Sequence, residues 1–346
     1  MYNMPEHPLT REELKRRLEA VDGAKICLIG DFCLDIYWHA DMRLSELSRE
    51  TPHYPLPIVE ERFSPGGAGN VACNIAALRP GSLRVVGAAG TDWRGDLLLR
   101  ALAEHGIGVD GIVRRDGIVT NTYIKPVRRG ISDVAYEDPR LDFENRAPLP
   151  EDCERAVLDA LERAAADADV ICVSDQMRFG CVTPAVRERL CRYGEEGRTV
   201  VVDSRDRMAQ YRCAVVKPNE VEASRAFGDG SAMDMDGLSE LAAKISLRNN
   251  RLALVTLGAQ GCFAAENGAV TRCPACAVEP PIDFCGAGDT FLSGFASLLA
   301  GGAPPLQAVQ GANLCSAVTI RKIGTTGTAT REEVLRAWDE FCDPKT

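Results

Sequence analysis

Short apolar runs bounded by turn-forming residues alternate along this chain with segments in which apolar side chains recur every three or four positions. KICLIGD (25–31), RVVGAAG (84–90), DVICVSD (169–175), RTVVVDS (198–204), CAVVKPN (213–219) and LALVTLG (252–258) predict buried strands. Between several of them, residues 94–105, 151–166, 183–194 and 236–248 carry the helical period. Strands of this kind need cover on both faces, so the alternation predicts an α/β fold with a mostly parallel central sheet and helices on both sides. Ligands of such sheets bind beyond the carboxyl ends of the strands. That rule brings forward Asp31, Asp35, Asp175, Asp203, Asn219 and Gly258.

Two segments break the rhythm. Residues 36–63 and 117–144 are irregular or alternating with little helical signal, and they predict strands outside the main sheet that form a small second layer, a candidate lid. No internal repeat, low-complexity tract or linker is visible, so the expectation is one domain over residues 1–346 with the lid inserted in two pieces. The N-terminal LTREELKRRLEAV reads as an ordinary amphipathic helix.

Charge narrows the function classes. The chain has 346 residues, with 40 Lys and Arg against 50 Asp and Glu and a formal charge of -10. That balance argues against a nucleic-acid face or binding to an anionic membrane as the main activity. The first 25 residues contain no apolar signal core and no run approaches a membrane span, so a cytoplasmic location is expected. Most of the 14 cysteines fall inside apolar runs such as KICLIG, VICVSD and ANLCSAV, as reduced core residues would. One CPAC pair (Cys273, Cys276) and four histidines (His7, His39, His53, His105) offer no zinc-ligand spacing.

Candidate chemistry lies in glycine-bearing turns. SPGGAGNVACNIAAL places Gly66, Gly67 and Gly69 before a helix running from about Asn70, with Asn70 and Asn74 on one face. Those amides suit a polyhydroxylated ligand or, equally, a helix cap. Asp92 and Gly95 in VGAAGTDWRGDLLLRAL read as helix-capping residues. In KPNEVEA, Pro218 fixes the helix entry while Asn219 and Glu222 form a capping-box pattern; alternatively they organise waters around a magnesium–phosphate group. Gly258 and Gly261 in VTLGAQGCF fit backbone passing under a nucleotide or a plain hairpin. DFCGAGDTFLSGF (283–295) sets Gly286, Ala287 and Gly288 at the opening of a helix, where unpaired N–H groups and the positive dipole end attract an anion. A carboxylate there repels that anion unless it has chemistry to do, and Asp289 fits a base taking the proton of a hydroxyl that attacks a phosphoryl group.

In this order and spacing, the motifs resemble the ribokinase family, the phosphofructokinase-B type of carbohydrate kinases, over about residues 25 to 340. GGAGNVACNIAAL is similar to the first family signature and DFCGAGDTFLSGF to the second, with the Asn-x-x-Glu and TLG elements between them. Within the family, GDFCLDIYW (30–38), SRETPHYPLPIVEERFSPGGAGNVACNIAAL, RLDFE (140–144) and RKIGTTG (321–327) most resemble the kinase domain of heptose-7-phosphate kinases of the ADP-heptose pathway. Two places depart. SDQMRFG keeps Asp175 but puts Arg178 near the position of a lysine, and Asp203-Ser204-Arg205 replaces Asp-Pro-Lys. Arginine's planar fork meets a phosphate differently from an ammonium, so the acceptor is less defined than the reaction.

The resemblance implies a ribokinase-like three-layer α/β/α domain with a small inserted β lid, using ATP, Mg2+ and K+. It makes Asp289 the general base and has Gly286, Ala287 and Gly288 supply N–H groups to the transferred phosphoryl. Asp35, Gly66, Gly67, Asn70, Asp142 and Arg178 bind the sugar in this reading, and Lys125, Arg128, Arg129 or Arg178 would hold a phosphate already on it. Asn219, Glu222, Thr256, Gly258, Gly261 and Asn313 form the nucleotide site. Carbonyls around Asp283, Cys285, Thr319 and Gly324, with Thr328 nearby, would hold a monovalent cation. A small-molecule sugar or sugar phosphate is the expected partner, and pairing of lid segments implies a homodimer. No nucleotidyltransferase-like domain is expected, so that, if the protein belongs to heptose activation, the later nucleotidyl step is expected to reside elsewhere. A kinase of a free hexose, pentose or nucleoside is the nearest alternative, and a non-catalytic regulatory relative the alternative of another class. A dinucleotide oxidoreductase is disfavoured, because KICLIGDFCLD lacks a G-x-G-x-x-G turn.

Overall fold

The computed structural model describes residues 3, 4, 9–130, 132 and 134–343. His7 and positions 131 and 133 of the 117–144 segment lie outside them. The chain opens with α1 (Arg11–Ala20), capped by Thr10 and Glu13 in a reciprocal box, and then alternates. The strands are β1 (Lys25–Gly30), β2 (Phe32–Asp41), β3 (Ile58–Gly67), β4 (Ser82–Gly90), β5 (Ile112–Arg115), β6 (Thr122–Arg129) and β7 (Tyr136–Glu137). They continue with β8 (Leu141–Phe143), β9 (Val170–Asp175), β10 (Val200–Ser204), β11 (Val215–Val216), β12 (Ala253–Thr256), β13 (Cys262–Glu266) and β14 (Ala269–Cys273). The remaining helices are α2 (Ala68–Ala77), α3 (Trp93–Glu104), α4 (Glu151–Ala165), α5 (Pro184–Glu195), α6 (Glu220–Phe227), α7 (Met235–Asn249), α8 (Ala287–Ala300), α9 (Pro305–Thr319) and α10 (Arg331–Phe341).

Nine strands form the main sheet in the order β14-β13-β12-β11-β10-β9-β1-β4-β5, parallel except for the antiparallel β13 and β14 at one edge. Side chains of a strand alternate between faces, and β1 divides accordingly. Ile26 and Leu28 join the core under α1, α2, α8 and α9, with Leu14, Val71, Phe295 and Val309. Cys27 and Ile29 face the opposite core, with Val157 and Leu161 of α4, Leu190 of α5 and Ile245 of α7. All six strands expected from the apolar runs lie in this sheet.

The second sheet has the order β3-β2-β6-β7, with β8 also on β6. It contains the two segments that broke the rhythm. The first is wider than 36–63, because β2 begins at Phe32, immediately after β1, and β3 runs through to Gly67, whereas β6, β7 and β8 fall inside 117–144. The first half of β2 is buried at every position, so it shows no alternation that would mark its start. Gly66 and Gly67 therefore end a strand that leads straight into α2 at Ala68. All fourteen cysteines are free, and no group of three or more His, Cys, Asp or Glu among the described residues could hold a metal ion. No described helix is long and apolar enough to cross a membrane.

Candidate active site

The turn into α8 is built by backbone. Gly286 adopts φ 77° and ψ 7°, a left-handed conformation that favours glycine, and a Cβ there would lie 2.6 Å from Asn70 Nδ2. No side chain caps the helix. The Ala287 N–H turns back to the Phe284 carbonyl (3.1 Å), and the Thr290 N–H to that of Gly286 (2.9 Å). The N–H groups of Gly288 and Asp289 have no partner among the described residues. Of the three N–H groups expected from the sequence, those of Gly286 and Gly288 are thus open among the described residues, with Asp289 in addition, while that of Ala287 is engaged.

Asp289 sits in the first turn of α8, where Asn70 Nδ2 donates to its Oδ2 at 2.8 Å. Asn70 is buried in α2, and its Oδ1 accepts from Asn74 Nδ2 (3.2 Å), so its amide is held in place and caps nothing. Removal from water pushes the Asp289 carboxyl up to about 6. The Asn70 amide opposes that rise, as does the Lys217 ammonium, while Asp203 and Asp35 reinforce it. A base poised there is ionised at neutral pH yet basic enough to accept a proton in a transition state.

Asp35 lies on the other side, on the buried half of β2. Lys125 Nζ approaches its Oδ2 at 3.5 Å and donates to Tyr37 Oη at 3.1 Å. Burial raises the Asp35 carboxyl and Lys125 opposes it. Gly66 on the paired strand is required by contact: a Cβ there would meet Cys33 Sγ at 2.7 Å and Asp35 Cγ at 3.0 Å.

A cavity of about 600 Å³ gathers most of the remaining candidates. Asn219, Glu222, Thr256, Gly258, Gly261 and Asn313, the predicted nucleotide residues, line it together with Ala287, Gly288 and Asp289. Asn219 and Glu222 do form the reciprocal capping box of α6 (2.8 and 2.9 Å), so both side chains are fixed at the cavity wall. Burial raises the Glu222 carboxyl, with Asp203 adding to it. Asn313 donates to the Pro274 carbonyl (3.0 Å), fastening the strand exit after β14 to α9.

Other predicted residues stand apart from this cavity. Asp142 is exposed on β8 in a two-pronged pair with Arg140 (2.6 and 2.7 Å), whose guanidinium lies 4.2 Å from the centre of the Tyr123 ring. Arg178 is exposed after β9, beside the Phe179 ring. Asp283 accepts from the N–H groups of Cys285 (2.9 Å) and Gly324 (2.8 Å), bringing the two loops together. The Thr319 carbonyl accepts from Lys322 N–H (2.9 Å) and that of Thr328 from Lys322 Nζ (2.6 Å), so both are engaged within the loop itself. Asp92 caps α3 through Gly95 N–H (2.9 Å), as expected.

Sequence reasoning gave Lys217 no role, yet it lines the cavity beside Asp203. The available signal was its place immediately before Pro218-Asn219, at a strand end. Arg62 is a second omission: it reaches from β3 to the Gly324 carbonyl (2.6 Å), tying the second sheet to the loop beside the turn.

Bifunctional protein HldE of Citrifermentans bemidjiense is 32% identical over 332 residues, covering 94% of this chain and 66% of that protein. The HldE of Caulobacter vibrioides is 32% identical over 320 residues, covering 88% and 62%. The chain thus spans about two thirds of the length of these relatives. In fold it is similar to Arabidopsis thaliana ribokinase complexed with ribose and ATP (TM-score 0.68, 19% identity, 91% of this chain and 98% of that one). It is equally similar to phosphofructokinase-2 of Escherichia coli (TM-score 0.69, 19% identity, 92% and 99%), so the architecture is ribokinase-like. The family model for pfkB family carbohydrate kinases matches residues 25–331, from the first strand to the start of the last helix and across both glycine turns, and the chain belongs to that family.

Proposed function

We propose that this carbohydrate kinase transfers the γ-phosphoryl group of ATP to a hydroxyl of a phosphorylated sugar, with a heptose 7-phosphate-type acceptor the first choice. The observation that carries the reading is the Asp289 carboxylate, oriented by Asn70 at 2.8 Å and one residue from the free Gly288 N–H, at the end of a cavity sized for a nucleotide. Asp289 accepts the proton of the attacking hydroxyl. The Gly288 and Asp289 N–H groups and the dipole of α8 receive the charge on the transferred group; donors of this kind contribute about 3 kcal/mol each. Asp35, with Gly66, Gly67 and Asn70, orients the sugar hydroxyls. The second sheet acts as the lid that excludes water, which would otherwise compete as acceptor.

Glu222 and Asp203 share the cavity wall, and with no cluster of three ligands among the described residues they suit a hydrated Mg2+ held through the phosphates. When bound, that ion neutralises charge on the phosphate chain. A monovalent cation such as K+ fits best near Asp283, Cys285 and Gly324, whose loops the Asp283 carboxylate already joins.

The acceptor's own phosphate is assigned to Arg178. Of the four cations considered, Lys125 is turned to Asp35 and Arg128 to Asp138 (2.7 Å), while Arg129 sits at the far end of β6, beside the end of β2 at Asp41 and away from the β9 strand end. Arg178 makes no ion pair among the described residues and lies three residues beyond the end of β9. ADP release with ATP and Mg2+ over a panel of free and phosphorylated sugars tests this: a heptose 7-phosphate is expected to turn over fastest. Faster turnover of a free sugar or a nucleoside would discard the assignment while leaving the transfer.

Apolar side chains on and beside the second sheet support a homodimer. Leu44, Leu47, Tyr54, Val59 and Tyr136 are each 47–63% exposed there, and a second copy of the same sheet would cover them. Light scattering is expected to give twice the chain mass of 37.4 kDa; a single-chain mass at micromolar concentration would rule the pairing out.

A further inference from the structure

Lys217 is a lysine in an unusual position. Its side chain is only 4% exposed, and Nζ lies 3.0 Å from Asp203 Oδ2. A Cβ built on Gly288 would sit 3.7 Å from that Nζ, which puts the ammonium directly beneath the first turn of α8. The backbone holds it there: its N–H donates to the Val202 carbonyl of β10 (2.9 Å), and the α6 capping box begins two residues later.

An ammonium carries three donors. Asp203 is the one ion-pair partner of this ammonium among the described residues, which leaves donor capacity unused in a cavity that Glu222 and Asp289 also line. Burying a cation with unfilled donors is costly, and one carboxylate neighbour would be served as well by a lysine at the surface. Three carboxylates (Asp203, Glu222 and Asp289) surround the site where a polyphosphate would lie. Lys217 is the buried cation among them, and it adjoins the Gly288 N–H group that has no partner.

We propose that Lys217 is a further catalytic residue, whose ammonium, anchored by Asp203, donates to the terminal phosphoryl group of the bound nucleotide and stays on it during transfer. This rests on the kinase reading above. In the step, the acceptor oxygen forms its bond to phosphorus and the bond from phosphorus to the ADP oxygen breaks, leaving its electron pair on ADP. The hydroxyl proton passes to Asp289. Lys217 keeps its own proton throughout and supplies hydrogen bonds and charge.

The test compares Lys217→Met and Lys217→Arg with the unaltered chain, measuring affinity for ATP and for ADP by calorimetry alongside kcat. Lys217→Met is expected to weaken ATP binding about tenfold, to leave ADP binding within about threefold, and to lower kcat about a hundredfold or more. Lys217→Arg is expected to recover part of the loss, because it restores the charge with different geometry. Should Lys217→Met fold poorly because Asp203 is left unpaired, Lys217→Gln, whose neutral amide keeps a donor for Asp203, is read the same way. Equal loss of ATP and ADP binding, or none in either, would overturn the proposal. Because the binding arm needs no acceptor, selective loss of ATP affinity would support Lys217 even if no sugar turned over, and that second result would count against the kinase reading alone.

Discussion

Replacing Asp289 with Asn is expected to lower kcat/KM for the acceptor by two to four powers of ten, about the range attributed to a positioned general base. The substitution keeps the shape of the side chain and an oxygen that can accept from Asn70, so the geometry at 2.8 Å is retained while the proton acceptor is lost. Nucleotide affinity should change little, and an anionic ligand should if anything gain from the missing carboxylate. A variant within tenfold of the unaltered enzyme, with the same product, would remove Asp289 from the chemistry.

The largest stability effect is expected at Asp175. This carboxylate is 1% exposed and accepts from Arg207 Nη1 (2.7 Å), Ser204 Oγ (2.9 Å) and Tyr211 Oη (2.9 Å), with the buried Arg187 at 3.6 Å. It ties the end of β9 to β10 and to residues 207–211. Asp175→Ala leaves two guanidinium groups and two hydroxyls without their shared acceptor. Breaking a buried ion pair from one side costs about 3–5 kcal/mol, and urea unfolding should show that loss. A change below about 1 kcal/mol would mean that the network is not holding the strand ends.

Asp175 also shows where the sequence was ambiguous. Strand-end carboxylates Asp31, Asp35, Asp175 and Asp203 look alike in a linear chain, yet their surroundings divide them. Asp31 is consumed by the N–H groups of Gln176 (2.9 Å), Met177 (2.7 Å) and Cys181 (2.8 Å), and burial pushes it up to about 6. Asp175 is consumed by arginines. Asp35 and Asp203 instead meet lysines beside the site. Which of these happens depends on contacts from 14 residues away, for Asp203, to 150, for Asp31, which local pattern does not encode.

The two glycine turns were legible for the opposite reason. A left-handed Gly286 is a demand of the local backbone that glycine meets, and Gly66, pressed against the Cys33 and Asp35 side chains of the paired strand, stands in the same kind of visible glycine cluster. The central strands were readable from their unbroken apolar runs. The second sheet was readable as an interruption, but its opening was hidden because β2 is buried on both faces where it leaves β1. Lys217 was missed because lysine in a strand-to-helix turn ordinarily points to solvent.

The central claim is that Asp289 takes the proton from the acceptor hydroxyl, and the pH dependence of kcat/KM tests it most directly. The base works only when ionised, and its carboxyl is pushed up to about 6. The unaltered enzyme should therefore hold a plateau above about pH 7 and lose activity about tenfold per unit as pH falls below 6. In Asp289→Asn that acid limb should be absent from the residual activity, apart from any ionisation of the substrates common to both. An acid limb of the same position and slope in both proteins would contradict the account.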